Sequence, residues 1–421
     1  MERSTWRAQS ECFLTFSQVA DCSGVAVRQE ASAETDSASV GAPNPSGCVL
    51  AYRSKRYIHR FLLIVFLLIL HAASAQSRPA NANQPELNDV HFHLTNYIQQ
   101  GTDIHDFLNM MGTKVGRVAL FGIPLQQDWS YQNSGDFAPT YYLQSDAPLY
   151  YYSFTDVYIA IAYRSLTKEQ QARFDPMITG FNPADMYAAD HIRRVLQTFP
   201  GVFSDIGDFT IHKEFVSAKV AGETASLLNP ALDRILDFAG EAGLVVLIHN
   251  DMDVPFAKAG SEPAYLSQMK SLLKSHSQTT IIWAHMGMGR VIRPVTQHAA
   301  VIESILKDPQ FSHVYFDISW DEVAKYLVAT PESVKIAADL INRYPDRFLF
   351  GTDEVVPTSQ QQYLRVYYQY DPLWKSLDRE ATEKVRKGNY ERIFDDARQR
   401  VRGWERTHLI TQNSDLERTK P

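Results

Sequence analysis

The sequence predicts an α/β fold, a (β/α)8 barrel of parallel strands joined by helices, and three observations support this prediction. From Pro85 onward, apolar runs of strand length alternate with amphipathic stretches of helix length, a pattern that favours a parallel sheet with helical crossovers. Eight strand signals follow one another without a linker or an internal repeat. Several strands end on a histidine or an aspartate, and in such barrels the chemistry lies at the carboxyl ends of the strands.

The first strand carries a pair of candidate metal ligands. An extended run over 86–93 ends in Asp89-Val90-His91-Phe92-His93. Because side chains alternate along a strand, His91 and His93 share one face. Two neutral imidazoles held in this way form half of a zinc-type site, although a surface pair or two structural core histidines would give the same pattern.

The stretch from strand two to strand four is less regular. Its elements are predicted at 114–123 (strand), 126–153 (loop), 155–173 (helix), 176–181 (strand), 185–199 (helix) and 202–214 (strand). The loop is rich in tyrosine and either lines a substrate pocket or packs as an insertion. If strand four is regular, Asp208, Thr210, His212 and Glu214 share one face and Lys213 points the other way.

The second half brings further candidate ligands. Strands five, six and eight end at His249, His285 and Asp353, and strand seven carries Asp317, which either supports a ligand through a hydrogen bond or is a plain strand residue. The intervening helices are predicted at 230–242, 263–275, 295–307, 331–343 and 379–402. The barrel is predicted to span 85–400, ahead of a polar tail at 401–421.

The N-terminal segment has a different composition. Residues 1–52 show no sustained apolar period, which predicts disorder or a start assigned too far upstream. Residues 53–75 combine a basic flank, the apolar run Phe61 to Leu70 and Ala73-Ser74-Ala75, a pattern typical of a secretory signal cut after Ala75. The apolar run is shorter than the roughly 20 residues of a membrane span. The signal predicts an extracytoplasmic protein, periplasmic or secreted, with an uncleaved membrane anchor or a cytoplasmic chain as the alternatives.

Composition excludes several classes of function. A net charge of −7 without a basic block argues against a nucleic-acid partner. The three cysteines all precede the barrel, so no thiol can act there as metal ligand or nucleophile. No phosphate-binding glycine loop precedes a helix, and no Gly-x-Ser-x-Gly motif is present. The predicted partner is therefore a small-molecule substrate, and self-association into a homo-oligomer is left open.

Taken together, the motifs resemble the amidohydrolase superfamily, most closely its amidohydrolase-2 branch. The matching motifs lie over about residues 85–400 and are Asp-Val-His-Phe-His (89–93), Ile-His-Asn (248–250), Trp-Ala-His-Met-Gly (283–287), Phe-Gly-Thr-Asp (350–353) and Gly-Asn-Tyr-Glu-Arg-Ile-Phe (388–394). The resemblance implies a distorted TIM barrel with one or two divalent metals. Members of the family hydrolyse amide, ester or lactone bonds, and some relatives decarboxylate or hydrate aromatic or unsaturated acids.

The resemblance also implies roles for individual residues. His91, His93, His249 and Asp353 match the metal ligands, and Asp353 also accepts the proton of the attacking water. His285 matches a residue that orients water or polarises the substrate beside a single ion, or binds a second ion. Such a site leaves one open position, where Zn²⁺ can lower the pKa of bound water to about 7. The expected cofactor is a divalent metal, above all Zn²⁺, with one ion favoured over two.

Strand four departs from the family pattern. Two-metal members have a bridging glutamate or carbamylated lysine there, but none of Asp208, His212, Lys213 and Glu214 aligns securely with that position. Lys213 and Glu214 are candidates for substrate contact, with an exposed ion pair as the alternative. Arg290 is a candidate to hold a substrate carboxylate, with a structural pairing to an acidic neighbour as the alternative.

The predicted function is therefore a metal-dependent hydrolase of a small molecule. The alternative on the same site is a metal-dependent, non-oxidative decarboxylase of an aromatic or unsaturated carboxylic acid. A barrel that only binds a metal or a ligand is the third hypothesis.

Overall fold

The computed structural model describes residues 84–96, 99–124, 128–129, 143–144, 151, 153–214 and 226–418, with side chains up to residue 409. The predicted disordered segment 1–52, the signal-like segment 53–75 and most of the tyrosine-rich loop lie outside these residues. Within the described part of the chain, no helix combines the length and apolar character needed to cross a membrane.

Nine strands form one sheet in which every neighbouring pair is parallel, as predicted. The described strands are β1 (Leu87–His93), β2 (Val115–Phe121), β3 (Asp128–Trp129), β4 (Leu143–Gln144), β5 (Phe174–Ile178), β6 (Asp205–Thr210), β7 (Val245–His249), β8 (Ile281–Trp283), β9 (Val314–Asp317), β10 (Phe348–Leu349) and β11 (Glu354–Val355). Strands β3 and β4 pair only with each other. The strand order is that of a TIM barrel, because β1, β2 and β5 to β10 follow one another in chain order.

The segment 348–356 joins the last barrel strand to the first. Its beginning, β10, pairs with β9, and its end, β11, pairs with β1. Between these two pairings, the amide of Val90 donates to the carbonyl of Phe350 at 3.1 Å, and the amide of Asp353 donates to the carbonyl of His91 at 2.7 Å. This closure holds Asp353 beside the first strand.

Helices connect the strands over the ranges Ile104–Met111, Phe154–Ser165, Lys168–Gln171, Ala188–Thr198, Pro230–Ala242, Leu266–Ser275, His298–Lys307, Asp321–Leu327, Pro331–Arg343, Gln360–Tyr363, Arg365–Gln369, Asp371–Trp374, Arg379–Glu383 and Asn389–Arg418. The helix Pro230–Ala242 shows why such boundaries are readable from sequence. Asn229 caps its first turn, Pro230 occupies the first helical position, and Gly243 ends it in the left-handed conformation.

Strand four was predicted too long. The observed strand β6 ends at Thr210, and its pairing with β7 shifts register between Ile206 and Phe209. The alternation of side chains is lost at such an irregularity. The prediction that Asp208, His212 and Glu214 share one face is therefore wrong, since His212 stacks on the ring of Tyr265 at 3.7 Å and Asp208 faces the barrel histidines.

The predicted polar tail is also helical beyond residue 401. The helix Asn389–Arg418 continues past the predicted end, and Val401 and Trp404 are buried. Trp404 packs edge-on against Phe238 with 5.5 Å between ring centroids, and its Nε1 donates to Glu241. Apolar residues recur at the three- and four-residue spacing of a helix, but charged residues between them obscure the pattern.

The last helix packs against the amino ends of the strands. Asn389 donates to the carbonyl of Phe348 at the start of β10, and the hydroxyl of Tyr390 donates to Asp175 at the start of β5. Arg398 donates to the carbonyl of Phe174. Because these contacts cover the amino ends, the carboxyl ends of the strands remain the side on which a site can open.

Candidate metal centre

Histidine and aspartate side chains from five strand ends meet inside the carboxyl end of the barrel. His91 and His93 close β1, Asp208 lies in β6, His249 closes β7, His285 follows β8 and Asp353 precedes β11. The four histidines are each at most 5 % exposed. The predicted convergence of His91, His93, His249, His285 and Asp353 is therefore what the structure contains, with Asp208 added.

Asp353 is the carboxylate nearest to the β1 histidines. Its Oδ1 lies 3.0 Å from Nε2 of His93 and 3.2 Å from Nε2 of His91. Its Oδ2 lies 3.9 Å from Nε2 of His285. One carboxylate oxygen thus faces the β1 pair while the other faces the β8 histidine.

Asp208 is the residue that sequence reasoning left unassigned. Its Oδ2 lies 3.7 Å from Nε2 of His91 and 4.0 Å from Nδ1 of His249. A carboxylate between two imidazoles is a usual ligand arrangement for a divalent cation. The signal in the sequence was a carboxylate on strand four, but the irregular strand concealed the direction of its side chain.

Two groups of side chains bring their ligand atoms within 4.8 Å of one another: His91, His285 and Asp353 in one group, and His91, His93 and Asp208 in the other. His249 belongs to neither group. Its Nδ1 faces Asp208, and its Nε2 lies 3.3 Å from Asp251 Oδ1.

Several buried polar atoms of this cluster lack a hydrogen-bond partner among the described residues. They are Nδ1 of His249, Nε2 of His285 and Oδ1 of Asp208. Buried polar atoms without partners cost free energy, so their number at one spot calls for an explanation. A divalent cation coordinated by imidazole nitrogens and carboxylate oxygens would satisfy them, and the residues present fit such an ion.

For most side chains of the cluster, the pKa shift favours the protonation state that binds a metal. Burial lowers the pKa values of His93, His249 and His285, which keeps these rings neutral. Burial alone would raise the pKa of Asp353, but His91 and His93 outweigh it and hold this pKa well below its usual range. Neutral imidazoles and an ionised carboxylate are the forms that bind a metal.

His91 has the opposite shift. Burial would lower its pKa, but the charge of Asp353, the Asp208 carboxylate 3.7 Å away and a hydrogen bond to Asp317 raise it well above the usual value. The additional proton gives His91 a positive charge beside the carboxylates of Asp208, Asp317 and Asp353. A bound cation would take over that role and displace the proton, because a ligating imidazole must give up one of its two protons.

Asp317 and Ser319 support the cluster from β9. Asp317 Oδ2 lies 3.0 Å from Nδ1 of His91, and its Oδ1 accepts from the backbone amide of His285 at 2.6 Å. The prediction that Asp317 forms a hydrogen bond with a candidate ligand is confirmed for His91. Ser319 lies 2.9 Å from Nδ1 of His285 and was missed, because it lies beyond the strand and in no motif.

Comparison with known proteins identifies the family. The model of the amidohydrolase family matches residues 89–395, which include every residue of the cluster. The chain belongs to the amidohydrolase family. No curated protein matches the sequence.

Solved structures resemble this family member at low identity. One is provisionally called a 2-pyrone-4,6-dicarboxylic acid hydrolase, from Pseudomonas putida, with 13% identity, a TM-score of 0.46, and coverage of 74% of this chain and 98% of that one. A Burkholderia multivorans amidohydrolase with bound zinc has 11% identity, a TM-score of 0.44, and coverage of 73% and 99%. The 5-carboxyvanillate decarboxylase of Sphingomonas paucimobilis has 12% identity, a TM-score of 0.38, and coverage of 73% and 99%.

The backbone of the site is held in conformations that side chains rarely adopt. His285, Met286 and Asp353 have φ values of 58°, 54° and 51°. Such left-handed residues cost roughly 1–3 kcal/mol each and cluster at functional sites of proteins. In this member of the amidohydrolase family, two of these residues face each other, with His285 Nε2 3.9 Å from Asp353 Oδ2.

Lys213 lies beside the cluster. Its side chain is buried, and its Nζ lies 5.6 Å from the centre of the Trp320 ring. Its charge lowers the pKa values of Asp208 and His249, although burial is the larger influence on both groups. The alternative of an exposed ion pair with Glu214 is therefore wrong, since both side chains are buried.

Glu214 and Arg290 connect neighbouring loops through hydrogen bonds and an ion pair. The amide of Glu214 donates to Asp251 at 2.5 Å, and Oε1 of Glu214 accepts from the amide of Arg290 at 3.0 Å. The guanidinium of Arg290 lies 3.5 Å from Glu322. The structure thus contains the pairing of Arg290 with an acidic neighbour, the alternative to a substrate contact.

A cavity of about 430 Å³ opens at the same end of the barrel, beside β5. It is lined by Tyr151, the turn after β5 and the helix that carries His191 and Arg194. Burial and the charge of Asp208 both raise the pKa of Tyr151. The candidate ligands are not among the described residues that line this cavity.

Proposed function

We propose that this chain is a metal-dependent hydrolase that activates a water to cleave an amide, ester or lactone bond of a small anionic molecule. The observation that carries the proposal is the position of Asp353, with one oxygen toward the β1 histidines and the other toward His285. The first oxygen can bind a metal while the second accepts a proton. A site that only binds a metal would not require the second oxygen of Asp353 to face His285.

The proposed cofactor is one divalent ion, above all Zn²⁺. Both compact ligand groups share His91, and its Nδ1 is already bonded to Asp317, so His91 has one nitrogen to offer and joins only one ion. His91, His93 and Asp353 are the proposed ligands, completed by Asp208 or His249. Two ions per chain in metal analysis would reject this count.

When bound, the ion supplies a Lewis acid that polarises the scissile carbonyl and acidifies a water. Asp353 is ionised and accepts the proton of that water on Oδ2. His285 is neutral, and its Nε2 lies 3.9 Å from that oxygen, so it can take the proton on and deliver it to the leaving group. The ring of Phe121 lies 4.7 Å from the ring of His93, and the ring of Trp320 lies 5.1 Å from the ring of His285. These buried aromatic side chains exclude bulk water.

Lys213 supports the choice of an anionic substrate. Its ammonium is buried beside Trp320 at the rim of the cluster, where a negative group of a substrate would gain a charge-assisted hydrogen bond. The Trp320 ring offers a flat apolar surface next to that charge. Together they favour a small planar molecule that carries a carboxylate.

The test is a substrate panel of lactones, amides, esters and aromatic carboxylic acids, assayed for hydrolysis and for CO₂ release. The wild-type chain should hydrolyse at least one carboxylate-bearing compound, and the double variant His91→Ala/His93→Ala should lose bound metal and turnover. The double variant His105→Ala/His408→Ala removes two exposed histidines and is the control. Release of CO₂ without hydrolysis would favour the decarboxylase instead, and full activity in His91→Ala/His93→Ala would reject both reactions.

A further inference from the structure

Asp317 and Ser319 contact two histidines that come from different strands. Nδ1 of His91 lies 3.0 Å from Asp317 Oδ2, and Nδ1 of His285 lies 2.9 Å from Ser319 Oγ. The Ser319 hydroxyl also lies 2.7 Å from Asp317 Oδ1. Both side chains are fully buried. The two residues therefore form one support shared by a β1 histidine and a β8 histidine.

The direction of these hydrogen bonds follows from counting donors. Asp317 Oδ1 accepts from the backbone amides of His285 and Ser319, at 2.6 and 3.2 Å, as an ionised carboxylate does. The single hydrogen of the Ser319 hydroxyl must then point to Asp317, because a carboxylate has no hydrogen to donate. The Ser319 oxygen can consequently only accept from His285, and Nδ1 of His285 carries the hydrogen.

We infer that Ser319 and Asp317 are positioning residues that fix the tautomers of His285 and His91. They hold a hydrogen on Nδ1 of each ring and leave Nε2 as the nitrogen that faces Asp353, at 3.9 Å for His285 and 3.2 Å for His91. The inference rests on the proposed metal centre, for which Nε2 must offer a lone pair.

Loss of Ser319 would release His285. Its hydrogen could then move to Nε2 and point at Asp353, so that the ring would offer a donor where the centre needs an acceptor. Ser319 Oγ also lies 3.3 Å from Nδ1 of the proposed ligand His91 and donates to Asp317, which contacts the same nitrogen. Partners that orient a metal-ligating histidine typically change metal affinity by about 10–100-fold, so loss of Ser319 should weaken metal binding through His91. The same argument applies to Asp317→Asn, whose amide nitrogen can face Nδ1 of His91 as a donor and reverse that tautomer.

The first experiment compares zinc affinity in the full chain, by competition with a chromophoric chelator. Ser319→Ala should bind Zn²⁺ about 10–100-fold more weakly, and Ser319→Thr, which keeps the hydroxyl, should recover most of the affinity. Ser204→Ala is the matched control, because Ser204 is also buried and also donates to a carboxylate, Asp205 at 2.6 Å, at the amino end of β6. Unchanged affinity in Ser319→Ala would overturn the inference.

The second experiment reads the tautomer directly in the metal-free wild-type chain. Long-range proton–nitrogen spectra of histidine labelled with ¹⁵N should show His285 with hydrogen on Nδ1, and the variant His285→Gln assigns the signal. Hydrogen on Nε2 of His285 would overturn the inference even if Ser319→Ala fails to fold. Neither readout needs turnover, so a chain with the expected tautomer that hydrolyses no compound would reject only the proposed reaction.

Discussion

Asp89 and Thr352, which lie 263 positions apart, form a paired contact between the first barrel strand and the segment that closes the ring. Oδ1 of Asp89 accepts from the amide of Thr352 at 2.9 Å, and Oδ2 accepts from its hydroxyl at 2.7 Å. His91 follows Asp89 by two residues and Asp353 follows Thr352 directly. The contact between Asp89 and Thr352 therefore sets the spacing between His91 and Asp353 in the cluster.

Removing this contact should destabilise the barrel and weaken the metal centre together. Asp89 also accepts from the amide of His91 and the hydroxyl of Tyr363, so Asp89→Ala leaves several buried donors without a partner. We expect a loss of roughly 2–4 kcal/mol in the free energy of unfolding, measured in urea. Thr352→Ser keeps both donors and is the control. A loss in Thr352→Ser as large as in Asp89→Ala would show that the hydrogen bonds are not the cause.

A buried carboxyl outside the cluster predicts a pH dependence of stability. Burial raises the pKa of Asp156 to about 7, while it accepts from the amides of Thr179 and Gly180. Because the unfolded chain loses this proton near the ordinary value of about 3.9, the folded state binds the proton more tightly between the two values. Stability should fall as pH rises through this window, by at most about 1.4 kcal/mol per pH unit from this group.

Asp156→Asn isolates that contribution. The amide oxygen of asparagine can still accept from both backbone amides, but the side chain no longer ionises. The free energy of unfolding of the variant, measured from pH 4 to pH 8, should decline less steeply than that of the wild type. Parallel pH profiles for the two proteins would contradict the assignment.

Lys213 should affect anionic substrates more strongly than neutral ones. Lys213→Met removes the charge but keeps an unbranched apolar side chain against Trp320. Hydrogen bonds to charged groups contribute about 1.5–3 kcal/mol, so KM for a carboxylate-bearing substrate should rise by about 10–100-fold. A neutral ester turned over by the enzyme is the internal control. An equal loss on both substrates would mean that Lys213 acts on the centre itself and not on the substrate.

The last helix should contribute to stability beyond residue 401. Trp404 is 6 % exposed and contacts Phe238 and Glu241. Trp404→Ala should lower the free energy of unfolding by about 3 kcal/mol, because large-to-small changes in a packed core cost about that much. The change Arg406→Ala, at an exposed position of the same helix, should have little effect. Equal stability of Trp404→Ala and the wild type would mean that the contact is marginal.

The signal-like segment leads to a prediction about processing. In a secreting bacterial host, the chain should be cut after Ala75, so that the mature protein begins at Gln76. N-terminal sequencing of the exported protein checks this directly. An intact N-terminus on a membrane-bound chain would instead support the anchor.

The sequence predicted those site residues that end regular apolar strands. His249 and His285 end such runs, and the alternation along β1 placed His91 and His93 on one face. Asp208 was not predicted as a ligand because the register of β6 shifts next to it. Ser319 could not be predicted, since its role depends on a contact with His285 that only the closed barrel creates.

The length of the final helix was underestimated for a similar reason. Its buried residues Val401 and Trp404 are separated by Arg402 and Gly403, and the partners of Trp404 lie on a helix more than a hundred positions earlier. Local pattern predicts an element when one face is continuously apolar, and it fails when long-range packing decides where the element ends.

Zinc binding by the histidine and aspartate cluster is measured by the metal content of the purified full-length chain after dialysis against trace Zn²⁺. We expect one equivalent of zinc per chain in the wild type and almost none in His91→Ala/His93→Ala, with both proteins folded by circular dichroism. A wild-type chain that retains no divalent metal, yet hydrolyses its substrate at full rate in the presence of a chelator, would contradict a metal-dependent reaction at this cluster.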